Sequence, residues 1–155
     1  MKQFIKRKHI RLTEYNYAEE GYYFITVCTN NHECLLSKIE LCRGEHCSPV
    51  LTSAGKIVEK YLKSMEKIYT NIKIDEYIIM PNHIHILLII HKGQLHSISK
   101  IMQQFKGKIT KELQHTIWQK SFYEHIIRNE KEYLKIKEYI IHNPTNWAKD
   151  MYYEY

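Results

Sequence analysis

Two histidines separated by one residue, His83 and His85, begin the apolar run that ends at Ile90. Alternate residues of a β-strand point to the same face, so the two imidazoles project together while Ile84 points the other way. Two imidazoles side by side form a bidentate platform for a divalent metal ion. A motif of only three residues is also compatible with two partly exposed histidines that hydrogen-bond to water.

A second pair of polar residues lies near the end of the chain. Tyr139 and Asn143 are four residues apart in a segment with helical character, so both lie on one helix face. Tyr139 offers a phenol as a nucleophile, and Asn143 offers a carbonyl oxygen as a third metal ligand. The alternative is that Tyr139 packs at the helix boundary and Asn143 caps the helix before Pro144. The choice depends on whether this face opposes the two histidines.

The elements that must position these residues follow from periodicity and turn residues. Strands are predicted at Gly21–Thr29, Ile72–Met80, His83–Ile90 and Ser121–Arg128. Helices are predicted to begin at Ser53, at Ser97 or Ser99, and after an Asn129 cap, the last one ending near His142. The short Pro81-Asn82 link predicts an antiparallel hairpin. The order β-α-β-β-α-β-α indicates an α+β, ferredoxin-like sandwich with its helices on one face of an antiparallel sheet.

Composition narrows the class of protein. The 155 residues fit one domain, 1–155, in which residues 1–20 form a basic arm. No stretch approaches the roughly 20 apolar residues of a membrane span, and the basic N-terminus lacks a signal peptide's apolar region. We therefore expect a cytoplasmic protein with no membrane partner. The net charge of +6 favours an acidic partner, of which nucleic acid is the commonest, and the 13 tyrosines and 10 histidines suit stacking on unpaired bases.

Several basic residues are candidates for contacting DNA phosphates, and the alternative for each is a solvated surface. They are Lys106 and Lys108 on the helix after the histidine strand, Arg128, and the arm residues Lys2, Lys6, Arg7, Lys8 and Arg11. The four cysteines, Cys28, Cys34, Cys42 and Cys47, lack the paired spacing of structural zinc sites and are interpreted as thiols, with metal binding left open.

Three motifs in order resemble a known family. They are PNHIH at Pro81–His85, the MQQFK helix, and WQxSFYEHIIR followed by YIxxNP. The first is similar to the HUH motif, in which U is hydrophobic. The whole pattern, from GYYFITVCT to the HNP turn, resembles the IS200/IS605-like single-tyrosine transposases, and within them the REP-associated tyrosine transposases.

The resemblance implies a site and an activity. His83 and His85 become ligands of Mg²⁺ or Mn²⁺, Asn143 becomes the third ligand where many relatives carry Gln, and Tyr139 becomes the nucleophile. Tyr133 and Tyr123 are also near in sequence, but Tyr139 has the amide partner four residues on. Such proteins cut and rejoin single-stranded DNA near hairpins through a 5′-phosphotyrosine, some as monomers and others as homodimers. In a prokaryote the protein is expected at the nucleoid.

Two other functions remain open at the level of sequence. One is a DNA-binding module of the same fold, inactive or domesticated, with no need for Tyr139. The other is a small metal-dependent hydrolase that forms no covalent intermediate. The oligomeric state, the DNA hairpin recognised, and a mobile or host-serving role are not encoded in these motifs.

Overall fold

The computed structural model describes residues 20–40 and 47–152 and contains a four-stranded antiparallel sheet. The strands are β1 (Gly21–Cys28), β2 (Ser37–Lys38), β3 (Val50–Leu51), β4 (Ile72–Ile79), β5 (His83–Ile90) and β6 (Tyr123–Ile127). The helices are α1 (Ser53–Ile68), α2 (Ile98–Leu113) and α3 (Glu130–His142). The sheet order β4-β5-β1-β6 and the chain order confirm the predicted α+β fold. Strands β2 and β3 pair with each other as a separate short ribbon.

The helix starts agree closely with the predictions. Ser97 and Asn129 are N-caps whose side chains accept hydrogen bonds from Lys100 N and Glu132 N. The cap of α1 is Thr52 rather than the first helical residue, Ser53, because the Thr52 hydroxyl accepts from Gly55 N. The predicted hairpin is present, since β4 and β5 pair antiparallel across the short link.

The main core lies between the sheet and helices α1 and α2. Ile84, Ile86, Leu88 and Ile90 of β5 all face this layer and are buried. They pack with β1 and with the apolar stripes of the two helices, including Leu62 and Ile101. This packing leaves His83 and His85 on the opposite face, as strand alternation predicts.

Helix α3 lies on that opposite face, which differs from the expected arrangement of all helices on one face. Ile140 packs there with Leu87 and Ile127 in a second, smaller core, and Ile136 lies against it. Leu87 is apolar and points to the same face as the histidines, so an element must pack on this face to bury it. The second layer is what brings α3 to the histidines.

The fold contains no candidate for a membrane span: among the described residues, no helix is long and apolar enough to cross a bilayer. The basic arm, with Arg7 and Arg11, and the segment 41–46, with Cys42, lie outside the described residues.

Candidate metal and nucleophile site

His83 is held in one tautomer by its neighbour Asn82. The Asn82 amide nitrogen donates to the backbone carbonyls of His32, at 3.2 Å, and Tyr152, at 2.6 Å, so its oxygen faces the other way. That oxygen, Oδ1, lies 2.9 Å from His83 Nδ1 and can only accept, so Nδ1 carries the ring proton. His83 Nε2 is consequently a lone-pair acceptor, and it is buried without a hydrogen-bond partner. This combination is typical of a metal ligand.

His85 is held in a similar way from the adjacent strand. Its Nδ1 lies 2.8 Å from the Thr26 hydroxyl of β1, and the two residues are paired in register. The imidazole centroids of His83 and His85 are 4.5 Å apart. Both side chains are essentially inaccessible to solvent, at 0% and 1% exposure, which excludes the alternative of two histidines bonded to water.

Both histidines are neutral at physiological pH. Burial lowers the pKa of His83 to about 4, against the opposing effects of the Asp150 charge and of contact with Asn143. Burial and the neighbouring His83 lower the pKa of His85 well below its ordinary value. Neutral imidazole is the form that coordinates metal ions.

Helix α3 carries Tyr139 and Asn143 to the histidines. It begins beside Tyr22, at the end of the sheet far from His83. Its 13 residues span about 20 Å, which is roughly the length of sheet between Tyr22 and the histidines. The Tyr139 hydroxyl lies 3.4 Å from His85 Nε2, and the Tyr139 side chain is 42% exposed. The predicted face of α3 therefore does oppose the two histidines.

Asn143 caps α3, which was one of the two alternatives, and its side chain also faces the site. It is the C-cap of α3, and its side chain is 2% exposed within the site. Its amide nitrogen donates to Asp150 at 2.7 Å, while its carbonyl oxygen is buried without a hydrogen-bond partner. A carbonyl oxygen in that state is available to a hard cation.

The phenol of Tyr139 is protonated at neutral pH. Burial, together with the charge of Asp150 and the neighbouring Tyr152, raises the pKa of Tyr139 to about 12, and hydrogen bonding to Asn143 opposes this only in part. Nucleophilic use of this phenol requires a nearby base to remove its proton or nearby positive charge to stabilise its anion.

Sequence reasoning missed Asp150. Within the described residues, His83, His85 and Asp150 are the His, Cys, Asp or Glu side chains grouped closely enough to share an ion, with ligand atoms within 4.8 Å of one another. Asp150 follows a turn of 3-10 helix, Trp147–Lys149, which no periodicity connects to the histidine strand. Trp147 and Tyr152 flank it and lie against His83, with ring centroids 6.0 and 4.6 Å away.

The residues present fit a divalent cation. Two buried acceptor atoms, His83 Nε2 and Asn143 Oδ1, have no hydrogen-bond partner, and a carboxylate is adjacent. Nitrogen and oxygen donors of this kind suit Mn²⁺, and Mg²⁺ with more of its water retained. No cysteine belongs to this group of described residues.

The candidate DNA contacts are dispersed. Lys106 Nζ donates to the backbone carbonyls of Gln119 and Lys120, and burial lowers the pKa of Lys106, so its ammonium already has protein partners. Lys108 is exposed on α2, on the side of the sheet away from the histidines. Arg128 is exposed at the sheet end where α3 begins. None of these three joins the site.

An open depression beside Tyr139 presents different basic residues. It has a volume of about 350 Å³ and is lined by Lys135, Glu138, Tyr139, His142 and Asn146. Lys135 is exposed on the same side of α3 as Tyr139, one turn earlier. The sequence analysis did not single out Lys135, although its spacing of four from Tyr139 is a signal that could have identified it.

Comparison with known proteins gives a consistent result. A family model described as "Transposase IS200 like" matches residues 21–143. An uncharacterized protein of Haemophilus influenzae is 35% identical over 95% of this chain and 93% of its own length. In fold, the chain is similar to a REP-associated tyrosine transposase solved with a REP hairpin, with a TM-score of 0.67 and 24% identity over 88% of this chain and 75% of that one. It is also similar to a Deinococcus radiodurans protein proposed to be a transposase, with a TM-score of 0.52 and 16% identity over 90% and 95% of the two chains.

Proposed function

The chain belongs to the family of IS200-like transposases, and from this premise we propose that it nicks and rejoins single-stranded DNA at hairpins, using Mg²⁺ or Mn²⁺ and a 5′-phosphotyrosine on Tyr139. The observation that carries the proposal is the 3.4 Å separation between the Tyr139 hydroxyl and His85 Nε2, at the edge of a cluster of buried acceptor atoms. A nucleophile adjacent to a cation site is the arrangement that phosphodiester transfer needs.

His83, His85 and Asn143 would hold the cation. When bound, it supplies positive charge that polarises the scissile phosphate and offsets the charge that develops in the transition state. Thr26 and Asn82 keep the two imidazoles oriented through their Nδ1 atoms. Such outer partners are a large part of the affinity of a metal site.

Tyr139 performs the covalent step. Its phenolic oxygen attacks the phosphorus, the bond from phosphorus to the 3′ oxygen breaks, and that oxygen leaves with its electron pair and takes up a proton. The phenol proton passes to water in the same step, and water returns one proton to the 3′ oxygen, so the protons balance. The products are a 5′-phosphotyrosine and a free 3′-hydroxyl, which attacks the phosphotyrosine in the reverse reaction and so rejoins strands. Because a phenol with a pKa of about 12 is protonated at pH 7, attack depends on charge at the histidine site.

Single-stranded hairpin DNA is the substrate class that fits best. The similar REP-associated transposase was solved bound to a REP hairpin. In this chain the depression beside Tyr139 is open to solvent and carries Lys135 and His142, which suit a phosphate backbone. A flexible single strand can enter such a depression and present its phosphate to Tyr139.

The test is a covalent adduct assay with a library of hairpin oligonucleotides and Mn²⁺. A strand labelled at its 3′ end should migrate with the protein in denaturant, and a strand labelled at its 5′ end should be released as a shorter fragment. Tyr139→Phe should form no adduct, whereas Tyr123→Phe should form it normally, because Tyr123 is exposed on β6. Tyr133→Phe should also form the adduct, but it is the weaker control, because it removes the hydroxyl that donates to Asp75 at 2.6 Å.

Three outcomes would contradict the proposal. An adduct that persists in Tyr139→Phe would refute the assigned nucleophile. Hairpin binding with no adduct, whichever metal ion and hairpin are used, would favour the DNA-binding module. Cleavage with no adduct would favour the hydrolase. His83→Ala should abolish cleavage and retain most of the DNA binding.

A further inference from the structure

Asp150 has a position that the family resemblance does not explain. It lies in the C-terminal segment 144–152, beyond the residues matched by the family model. Even so, one of its carboxylate oxygens and one ring nitrogen each of His83 and His85 lie within 4.8 Å of one another. Ligands of one octahedral Mg²⁺ or Mn²⁺ are separated by about 3 to 4 Å, so only a small adjustment separates this arrangement from a coordination shell.

We propose that Asp150 is a direct ligand of the divalent cation, together with His83 and His85, and that the Asn143 amide holds the carboxylate in place. The proposal rests on the function proposed above and adds a ligand to the same site. Two imidazoles and an amide are all neutral. Mg²⁺ and Mn²⁺ prefer oxygen donors, and anionic carboxylates above all. Asp150 supplies the formal negative charge that the other three side chains lack.

The carboxylate is already oriented for this role. Its Oδ2 accepts from the Asn143 amide nitrogen at 2.7 Å, and its Oδ1 accepts from Tyr152 N at 2.8 Å. Each carboxylate oxygen keeps a second lone pair for a metal ion. The bond to Asp150 also turns the Asn143 carbonyl oxygen to its buried, unpartnered position. Asp150 therefore positions Asn143 as well as contributing its own oxygen.

A consequence is that cation binding and docking of the C-terminal segment are thermodynamically linked. Asp150 lies between Trp147 and Tyr152, whose rings contact His83. A cation that joins Asp150 to the histidines stabilises this docked arrangement by mass action. Trp147 is thus a reporter placed beside the site.

The first experiment measures Mn²⁺ affinity by calorimetry on the full chain, without DNA. Asp150→Asn should weaken Mn²⁺ binding by at least about tenfold, because changes even in outer partners of metal ligands cost 10–100-fold. The matched control is Glu130→Gln, which removes one carboxylate at the far end of α3 and should leave the affinity unchanged. Thermal unfolding in EDTA shows whether each variant is folded.

A ligand swap tests coordination directly. Asp150→Cys should bind Cd²⁺ with a thiolate-to-metal absorption band in the difference spectrum, because soft thiolates select soft ions. The native chain has four cysteines of its own and supplies the baseline, which the band of Asp150→Cys should exceed at one equivalent of Cd²⁺. Glu130→Cys should add nothing to that baseline, because its thiol lies far from the histidines. A band in folded Asp150→Cys no larger than the baseline would overturn the assignment.

The outcomes separate this inference from the proposed function. If His83→Ala loses Mn²⁺ binding while Asp150→Asn binds as tightly as the native chain, Asp150 is not a ligand and the proposed function stands. If the native chain itself binds no Mn²⁺ or Mg²⁺, the metal-dependent function fails and the assignment of Asp150 fails with it.

Discussion

Single hydrogen bonds decide what the two histidines can do. Asn82 and Thr26 each engage an Nδ1 atom, and the oriented Asn82 oxygen also determines that Nε2 of His83 keeps its lone pair. A histidine pair on a strand is common, but a pair with both rings buried and both Nδ1 atoms engaged is prepared to coordinate an ion. The site thus depends on residues outside the HIH motif.

Thr26 provides the most direct test at this scale. Thr26→Val keeps the shape of the side chain and removes the hydroxyl that lies 2.8 Å from His85 Nδ1. We expect Mn²⁺ affinity to fall by roughly 10–100-fold, because His85 loses the partner that orients it. Thr26→Ser retains a hydroxyl and should keep most of the affinity, as measured by calorimetry. Equal affinities for the two variants would show that this contact has no orienting role.

At the scale of elements, α3 matters most, because it carries Tyr139, the proposed nucleophile. Its middle is anchored to the edge strand β4, where the Asp75 carboxylate accepts from Tyr133 Oη at 2.6 Å and from Lys137 Nζ at 3.0 Å. These two residues, Tyr133 and Lys137, lie six and two positions before Tyr139 on the same helix. They set the position of the helix along the sheet and therefore the distance from Tyr139 to the histidines.

Asp75 makes this anchor sensitive to acid. Burial acts to raise the pKa of Asp75, but the hydrogen bonds from Tyr133 and Lys137 outweigh it, and the net pKa is lowered. A carboxyl whose pKa is lower in the folded chain than in the unfolded chain stabilises the fold at any pH above its unfolded pKa, which is near 4. That stabilisation is lost as the pH falls through the pKa of the folded chain. Asp75→Asn should therefore unfold more easily at pH 7, by on the order of 1 kcal/mol after allowance for solvent screening.

The same comparison in acid provides the check. Urea unfolding of Asp75→Asn and the native chain should converge as pH falls from about 4 through the lowered pKa of folded Asp75, because the native carboxyl takes up its proton only there. A difference that stays constant from pH 7 into acid would mean that the charge of Asp75 contributes nothing to the anchor.

The start of α1 depends on a glycine. A Cβ added at Gly55 would lie 1.9 Å from the backbone oxygen of Leu36, so the helix can approach this segment only without a side chain there. Gly55→Ala should lower the free energy of unfolding by about 1–3 kcal/mol. Gly107, inside α2, has open space around its would-be Cβ. Gly107→Ala should raise the free energy of unfolding by about 0.5–1 kcal/mol, since alanine favours helix.

Denaturant unfolding should show that the free energy of unfolding falls in Gly55→Ala and rises in Gly107→Ala. A stable Gly55→Ala chain would mean that the connection containing Leu36 can move away at little cost. The pair also controls for the general effect of alanine in helices, since both positions lie inside helical segments.

For the whole molecule, the sheet divides the basic residues into two sets. Lys135 lines the depression beside Tyr139, whereas Lys108 lies on the α1 and α2 side. If hairpin DNA binds on the face of Tyr139, Lys135→Ala should reduce the slope of log affinity against log salt by about 1, one phosphate contact. Lys108→Ala should leave the slope unchanged.

Fluorescence anisotropy with a labelled hairpin, over a range of salt concentrations, checks both slopes. A reduced slope for Lys108→Ala alone would place the DNA across the opposite face and would support the sequence-based prediction for Lys108. Because Lys106 already donates to two carbonyls, Lys106→Ala is unsuitable for this comparison: a loss of stability would be confused with a loss of binding.

The fold was largely predictable because its signals are local. Strand alternation placed His83 and His85 on one face, and Ser97 and Asn129 cap helices as their side-chain chemistry predicts. The position of α3 was not predictable from its own pattern. Its apolar stripe shows that it must pack against the sheet. The stripe does not show on which face it packs, because the central strand β5 carries apolar residues on both faces.

The sequence by itself determined the elements, their order, the shared face of the two histidines, and the spacing of Tyr139 and Asn143, because these follow from backbone geometry over a few residues. Only the tertiary structure decided that this helix face meets the histidines, that Thr26 and Asn82 contact their Nδ1 atoms, and that Asp150 reaches them. The physical reason is that such contacts depend on how layers pack and where a turn returns the chain. Neither leaves a periodic signal in the sequence.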